Sequence, residues 1–477
     1  MFERMRKWIN SVKYTILPVA TIQEALGVEL AVSTDMANAI DLWDDMFRDE
    51  APWLFDPRRP AESLGLPAAI ASELARLITI EMESEVTGSA RADYLNVQYQ
   101  PVLGRLRQSV EFGAAKGGLI FKPYIDGGNI VVDYTQADSF YPTAFDNSGR
   151  LSGVVFIEQI VRKDKLYRRL EYHHLEPEGC VIENKAYVNS ALAGTNQVML
   201  GKPIPLTAVD EWASLSPSLT IQHVDRLLMG FFRMPLANAV DSRSPLGVSC
   251  YSRAINLIRQ ADEQWARIMW EFEGSELAIH ADQTLFKRDS FEQWGLPAGR
   301  DRLYRTVHGI DMDKPQFDIF SPAIRDSSLF NGLNNILKRI EYQCALAYGT
   351  LSDPQNVDKT AEEIRSSKQR SYATVKDTQK ALQSALDDLV YAMDVWATVG
   401  GLAPPGAYET AYDWDDSIIN DPVARKQMFW GYVQAGKFPA WRYFRDFEGY
   451  SEDDAKAIMA EMEGASLNNP YGFGGGA

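Results

Sequence analysis

The chain has 477 residues, of which 45% are hydrophobic and 11% aromatic, so it can bury a substantial core and is not disordered as a whole. Its formal net charge of −17 argues against nonspecific adhesion to nucleic acid, and its length allows about two to four domains. Three cysteines without a C-x-x-C pair favour a reduced, intracellular setting, and the absence of any run of about 18 apolar residues excludes a transmembrane helix and predicts no membrane partner.

The first predicted element, residues 1–18, is amphipathic, with apolar side chains such as Phe2 and Trp8 among basic ones such as Arg4 and Lys7. The charges interrupt the continuous apolar core that a signal peptide needs. We expect a helix that docks on the body of the protein, and an anchor on a membrane surface is the alternative.

Three helices are predicted next. Residues 33–47 begin with three N-cap candidates, Ser33, Thr34 and Asp35, and place apolar side chains on one side at helical spacing. Residues 68–82 predict a second helix. Residues 102–115 predict a third, since Pro101 suits the position just before or within a first turn.

The pattern changes from helix to strand after Gly117-Gly118. Two strands, residues 119–124 and 130–134, flank a glycine-containing turn and predict a β-hairpin. Further strand predictions cover residues 153–160, 167–174 and 180–187. Helices followed by an antiparallel sheet indicate an α+β fold class.

Residues 244–273 carry the most informative helical pattern of the chain. Its apolar residues recur at three- and four-residue spacing: Leu257, Ala261, Trp265, Ile268 and Phe272. They predict one buried stripe on a helix roughly 37 Å long. Strand candidates follow at residues 278–286, 303–307 and 316–320, and a second helix at 329–348. The predicted central layout is therefore a rod, a small β insert and a second rod, without a catalytic cleft.

A turn-rich loop at residues 352–359 leads into a long helix. Thr360 and Glu363 form a capping box, and the helix is predicted over residues 361–398, roughly 57 Å. Its first half is basic, with Arg365, Lys368, Arg370, Lys376 and Lys380. These charges have two interpretations, a solvated face or a DNA-facing surface that attracts phosphate weakly.

The C-terminal region predicts two more helices, at residues 422–435 and 452–463. The final segment, residues 468–477, is rich in Gly and Asn and predicts a disordered tail.

The sequence contains no recognisable catalytic, cofactor or metal motif. His173 and His174 are adjacent, so on a strand they point to opposite faces and cannot easily share a metal ion. Residues 114–118 lack the spacing and the final hydroxyl of a P-loop, and residues 413–424 lack the Gly and Glu of a calcium loop. We therefore expect structural or surface histidines, no cofactor and no enzyme activity.

Six segments, spread in order over most of the chain, carry a resemblance to one family. They are PAAIASELARLITIEMESEVTG (67–88), EFGAAKGGLIFKPY (111–124), YRRLEYHHLE (167–176), MPLANAVDSRSPLGVSCYSRA (234–254), DKTAEEIRSSKQRSYATV (358–375) and WDDSIINDP (414–422). Together they resemble the portal proteins of tailed bacteriophages, the head–tail connector rings.

The resemblance implies a portal architecture within the α+β class. It assigns residues 1–245 to the wing, 246–273 to the first stem helix, 274–328 to a β-rich clip, 329–348 to the second stem helix, 349–359 to the tunnel loop, 360–400 to the long wing helix and 401–477 to the crown with its flexible C-terminal tail.

The resemblance also implies a function in the virion. About twelve copies would form a ring at one capsid vertex, assembled in the host cytoplasm, as the channel for packaging and ejection of double-stranded DNA. The implied partners are the terminase large subunit, a head–tail adaptor, and the major capsid and scaffolding proteins.

The candidate DNA-facing residues that follow from the resemblance lie in and just after the tunnel loop. They are Ser352, Asp353, Gln355, Asn356, Asp358, Lys359, Arg365 and Lys368. We expect Lys359→Ala to impair packaging or DNA retention more than folding, and normal yields of filled, stable heads would contradict this. The alternatives are another virion structural protein, such as an adaptor or capsid component, and an α+β hydrolase or transferase with an unrecognised site.

Overall fold

The computed structural model describes residues 17–58, 61–80, 82–190, 199–276, 278–282, 304–307, 317–320, 323–353, 361–414 and 422–467. The chain divides into two compact units, Met1–Tyr412 and Asp413–Ala477. No helix among the described residues is both long and apolar enough to span a membrane.

The first unit begins with four helices. They are α1 (Val19–Leu26), α2 (Thr34–Phe47), α3 (Leu66–Thr79) and α4 (Ala90–Lys116). The predicted start of α2 is confirmed, because the Ser33 hydroxyl accepts a hydrogen bond of 3.3 Å from the amide of Met36. That bond satisfies one of the amides left unpaired at a helix N-terminus.

Helix α4 corrects the prediction of a helix starting after Pro101. It has 27 residues and Pro101 lies inside it. The proline deprives the Val97 carbonyl of its helical partner. Because Val97 is 67% exposed, solvent can satisfy that carbonyl. The buried stripe meanwhile continues across the proline through Ala92, Leu95, Tyr99, Val102, Leu106 and Val110.

Two antiparallel sheets follow α4, and they confirm the α+β fold class. Strand β1 (Met82–Thr87) precedes α4 and belongs to neither sheet. The strands of the two sheets are β2 (Gly118–Asp126), β3 (Asn129–Gln136), β4 (Phe140–Phe145), β5 (Leu151–Arg162), β6 (Lys165–Glu176), β7 (Gly179–Ser190), β8 (Lys202–Ile204), β9 (Ser218–Gln222) and β10 (Gly230–Arg233). The predicted hairpin is β2–β3, and it forms a three-stranded sheet in the order β10-β2-β3. The predicted meander is the six-stranded sheet β4-β5-β6-β7-β8 with β9 also paired to β7.

The long helix α7 (Ala361–Val399) matches its predicted range closely and covers the core of the first unit. Its Ala392 belongs to a buried cluster with Phe140, Val154 and Ile182 from the six-stranded sheet. The backbones of α7 and β10 approach so closely that a Cβ at Gly230 would lie 2.1 Å from the Ala385 carbonyl oxygen. Only glycine fits at that position.

The two predicted rods are α5 (Ile255–Gly274) and α6 (Asp326–Gln343), and both have corrected bounds. Helix α5 begins at Ile255 rather than near Leu246, so it is about 30 Å long instead of 37 Å. Residues before it pack in a non-helical conformation against the end of α4, where the Cys250 amide donates to the Ala114 carbonyl at 2.9 Å. The chain is therefore held away from the helical path until a short 3₁₀ turn at Ser252–Ala254.

The stripe predicted on α5 is partly wrong. Ala261 and Ile268 are buried, but Phe272 is 38% exposed. Asp262 is buried instead, at 3% exposure, because its carboxylate accepts the indole N–H of Trp53 at 2.9 Å and the Leu64 amide at 3.0 Å.

Helices α5 and α6 pack side by side in antiparallel directions. The Gln264 side-chain amide donates to the Leu329 carbonyl at 3.3 Å, and the Arg325 guanidinium lies 2.8 Å from the Glu271 carboxylate. Three short strands join the helices: β11 (Ala278–Asp282), β12 (Tyr304–Val307) and β13 (Phe317–Phe320). Strand β11 lies in the middle, parallel to β12 and antiparallel to β13.

One more strand, β14 (Glu409–Trp414), begins in the first unit, was absent from the sequence predictions and pairs with β1. The Ser84 hydroxyl on β1 donates to the Ala411 carbonyl at 2.9 Å.

The second unit contains α8 (Pro422–Gln434), α9 (Ala440–Glu448) and α10 (Glu452–Leu467). Helices α8 and α10 were predicted, whereas α9 was not. Aromatic rings hold the unit together, with Phe429 centred 5.1 Å from Phe438 and 5.0 Å from Phe447. Among its described side chains only Tyr443 and Ala455 are fully buried, so its core is small.

Candidate functional site

The junction between α6 and α7 is where the sequence predicts DNA-facing residues, and its first part is well defined. Helix α6 ends at Gln343, and the chain reverses through Ala345 and Gly349, whose φ angles are 55° and 84°. The following residues, 350–353, return along the end of α6.

A buried carboxylate holds residues 351 and 352 in place. Glu341 is 2% exposed, and its Oε1 accepts the amides of Leu351 and Ser352 at 2.7 and 2.8 Å. Its Oε2 accepts the Ser352 hydroxyl at 2.9 Å. Three donors thus compensate the carboxylate for its removal from water.

A second pair of hydrogen bonds, at a more exposed position, attaches Asp353 to α6. The Asp353 amide donates to Asn334 Oδ1 at 2.9 Å, and Asn334 Nδ2 donates to the Asp353 carbonyl at 3.4 Å. Asn334 and Glu341 are seven residues apart, which places them on the same face of α6. We call Asn334, Glu341, Ser352 and Asp353 the α6 clamp.

A cation–π contact links the same end of α6 to α7. The Arg370 guanidinium lies 4.2 Å from the centre of the Tyr342 ring, and Tyr342 is 61% exposed. Contacts of this kind at exposed sites contribute about 0.5–1 kcal/mol.

The predicted DNA-facing residues are distributed as follows. Ser352 is 4% exposed and its hydroxyl points to Glu341 instead of solvent, whereas Asp353 is exposed. Arg365 and Lys368 lie in the first turns of α7, where only the backbone is described. The remaining four lie outside the described residues: Gln355, Asn356, Asp358 and Lys359.

A cavity of about 300 Å³ is lined by Tyr342 and Arg370 and by two thiols, Cys250 and Cys344. Burial raises the pKa of Cys250 to about 12 and that of Cys344 well above its ordinary value. Both thiols therefore stay protonated at neutral pH, and neither is an activated nucleophile.

A larger cleft of about 970 Å³ lies between α2, the β2–β3 hairpin and strands β5 and β6. Lys116 is nearly buried there, with its ammonium 2.6 Å from Asp44 and 2.7 Å from Asp138. Burial and the three nearby carboxylates of Asp138, Asp45 and Asp44 raise the pKa of Asp41 to about 6, with Lys116 opposing them. In the described part of the chain, no set of three or more His, Cys, Asp or Glu side chains is arranged to hold a metal ion.

The adjacent histidines make contacts within their own strand. His173 is buried with its Nε2 2.7 Å from Glu171, and burial lowers the pKa of this imidazole. The His174 ring stacks on Tyr172 with centroids 4.4 Å apart. Each histidine is thus occupied by a neighbour two residues away.

Sequence reasoning missed the clamp residues Asn334 and Glu341. The apolar residues of α6 predicted only which face of the helix packs against its neighbours. A polar residue on that face interrupts the apolar pattern, but the interruption does not show which group the residue bonds to. The seven-residue spacing of two polar residues just before a turn-rich loop is the signal that was available.

Comparisons with known proteins identify no family. No family model matches the sequence, and no curated protein matches it. A solved chain described as the neck of a native GTA particle computed with C12 symmetry matches with 8% sequence identity and a TM-score of 0.39, over 87% of this chain and 94% of that chain. Values this low establish neither a shared family nor a shared function.

Proposed function

We propose that this chain is a portal protein of a tailed bacteriophage. One observation carries the proposal, namely the antiparallel helices α5 and α6, joined by a three-stranded β module and followed by the 39-residue helix α7. In a portal these elements correspond to two stem helices, a clip and the long wing helix, with residues 349–359 as the tunnel loop. The six sequence segments that resemble portal proteins lie in the same order along this framework.

The charge of the chain suits a DNA channel. A subunit has a formal net charge of −17, so a ring of about twelve has about −200. Such a ring repels DNA along its length and lets it pass without adhesion. The basic residues near the start of α7 supply a local, weak attraction to phosphate.

The proposed assembly defines the partners and the location. The ring occupies one vertex of the capsid, where it contacts the major capsid and scaffolding proteins. The terminase large subunit delivers double-stranded DNA to it, and a head–tail adaptor binds the clip. We propose that this chain catalyses no reaction, so the energy for packaging comes from the terminase.

The oligomeric state tests this function directly. A ring of about twelve subunits of 53.6 kDa has a mass of about 640 kDa by light scattering, and negative-stain images show a central hole wide enough for a DNA duplex. A species that remains a compact monomer at micromolar concentration contradicts the proposal and favours an enzyme. A closed ring without a through-hole contradicts the channel and favours a different virion component.

A further inference from the structure

We propose that Glu341 and Tyr342, adjacent residues in the last turn of α6, together position residues 351–353 and the start of α7, the described parts of the chain on either side of segment 354–360. The contacts belong to the fold whatever the protein does, and their relevance to DNA passage rests on the proposed function.

The residues just before the segment are held by the α6 clamp. The chain enters the segment directly after Asp353, whose backbone amide and carbonyl both bond to Asn334. The two residues before it, Leu351 and Ser352, bond through their amides to Glu341. Three consecutive residues are therefore attached to one face of α6 by five hydrogen bonds, the Ser352 hydroxyl included.

The start of α7, just after the segment, is held through the helix itself. Segment 354–360 leads into this helix at Ala361, and Arg370 lies nine residues further along it. A continuous helix transmits the position of Arg370 to its own start, about 14 Å away. The contact of 4.2 Å between Arg370 and the Tyr342 ring therefore locates the start of α7 relative to α6.

The two anchors use different faces of the same helical turn. Neighbouring residues on a helix point about 100° apart. Glu341 accordingly turns inward and is 2% exposed, whereas Tyr342 turns outward and is 61% exposed. A rotation or shift of this one turn therefore moves residues 351–353 and the start of α7 together.

Hydrogen exchange of the full-length chain, followed by peptide mass spectrometry, tests the proposal. We expect Glu341→Ala to speed exchange at Leu351 and Ser352 roughly tenfold, because their acceptor is lost. Glu341→Gln keeps Oε1 as an acceptor, so it restores most of the protection, and Ser352→Ala, which loses only the hydroxyl bond, changes it by roughly twofold.

The second anchor is tested with a variant that leaves the buried clamp intact. Tyr342→Leu keeps an apolar side chain at an exposed position and removes the aromatic face. We expect exchange over residues 361–370 to rise roughly threefold, which is the loss of one exposed cation–π contact. Glu271→Ala breaks its ion pair with the exposed Arg325 at the opposite end of the α5–α6 pair, and as the matched control it leaves both regions unchanged.

The readouts separate positioning from general stability and from the proposed function. Faster exchange in peptides of β5–β7 as well would mean that the variants destabilise the whole unit, and would overturn the proposal. Unchanged exchange at 351–352 in Glu341→Ala, or at 361–370 in Tyr342→Leu, would also overturn it. Absence of a ring in the wild-type chain refutes the portal function and leaves the exchange results to decide the positioning alone.

Discussion

The guanidinium Nε of Arg91 lies 3.1 Å from a carboxylate oxygen of Asp394. The Arg91 side chain is 1% exposed, that of Asp394 is 28% exposed, and Arg91 Nη2 also donates to the Thr398 hydroxyl at 2.6 Å. The pair joins the first turn of α4 to the last turns of α7. Leaving a charge buried this completely without such a partner would be strongly destabilising.

The first prediction concerns this pair. Asp394→Asn leaves the buried guanidinium without its counter-charge, and we expect the free energy of unfolding to fall by about 2 kcal/mol, less than for a fully buried pair because Asp394 is partly solvated. Urea unfolding measures the change. The double variant Arg91→Met with Asp394→Asn should lose less than Asp394→Asn alone, and an equal or larger loss would contradict the argument.

The second prediction compares two glycines of α4. A Cβ at Gly104 meets no atom within 4 Å, so Gly104→Ala is expected to stabilise the protein by about 0.5–1 kcal/mol through helix propensity alone. A Cβ at Gly113 would lie 2.9 Å from the Phe232 ring, so Gly113→Ala should destabilise by about 1–3 kcal/mol. Thermal unfolding of the two variants tests both signs, and equal effects would mean that packing at Gly113 is looser than described.

The third prediction is a pH dependence that originates at Asp41. Its pKa is raised from 3.8 to about 6, mainly by burial and then by Asp138, Asp45 and Asp44. The folded protein therefore binds more protons than the unfolded chain between about pH 4 and 6, and this group makes stability fall as the pH rises through that window.

Asp41→Asn removes this dependence. After allowance for solvent screening at a half-buried site, we expect the variant to be about 1 kcal/mol more stable than the wild type at pH 7 and equally stable below pH 4. Unfolding in urea at several pH values measures the difference between the two proteins. A difference that stays constant from pH 4 to pH 7 would exclude titration of Asp41 as its cause.

The fourth prediction concerns the buried carboxylate on α5. Trp53→Phe removes one of the two donors to Asp262, and we expect a loss of about 1.5–3 kcal/mol, the range for hydrogen bonds to charged groups. Trp270 is 68% exposed, so Trp270→Phe serves as the control and should change stability by less than about 0.5 kcal/mol. Denaturant midpoints of both variants provide the comparison.

Elements whose signals are local could be predicted from the sequence. The Ser33 cap, the β2–β3 hairpin and the extent of α7 depend on neighbouring residues, and all three were found. Helix α4 was found only in part. Pro101 locally predicts a helix start, but burial of the stripe through Tyr99 and Val102 overrides this preference and the helix continues through the proline.

Features that depend on distant residues could not be predicted. The start of α5 is set by the hydrogen bond between Cys250 and Ala114, which are 136 positions apart, and no local pattern encodes it. The candidate site has the same property. The sequence indicated the polar loop, but residues 351 and 352 before it are held by Glu341, which belongs to the preceding helix. From the sequence alone, a buried Glu341 could not be distinguished from a solvent-exposed one.

The close approach of Gly230 to Ala385 has a mechanical consequence. With no side chain between the two backbones, α7 cannot turn about its own axis without displacing β10. We therefore expect a displacement of α7 to be transmitted to β10, and through it to the sheet, at this backbone contact.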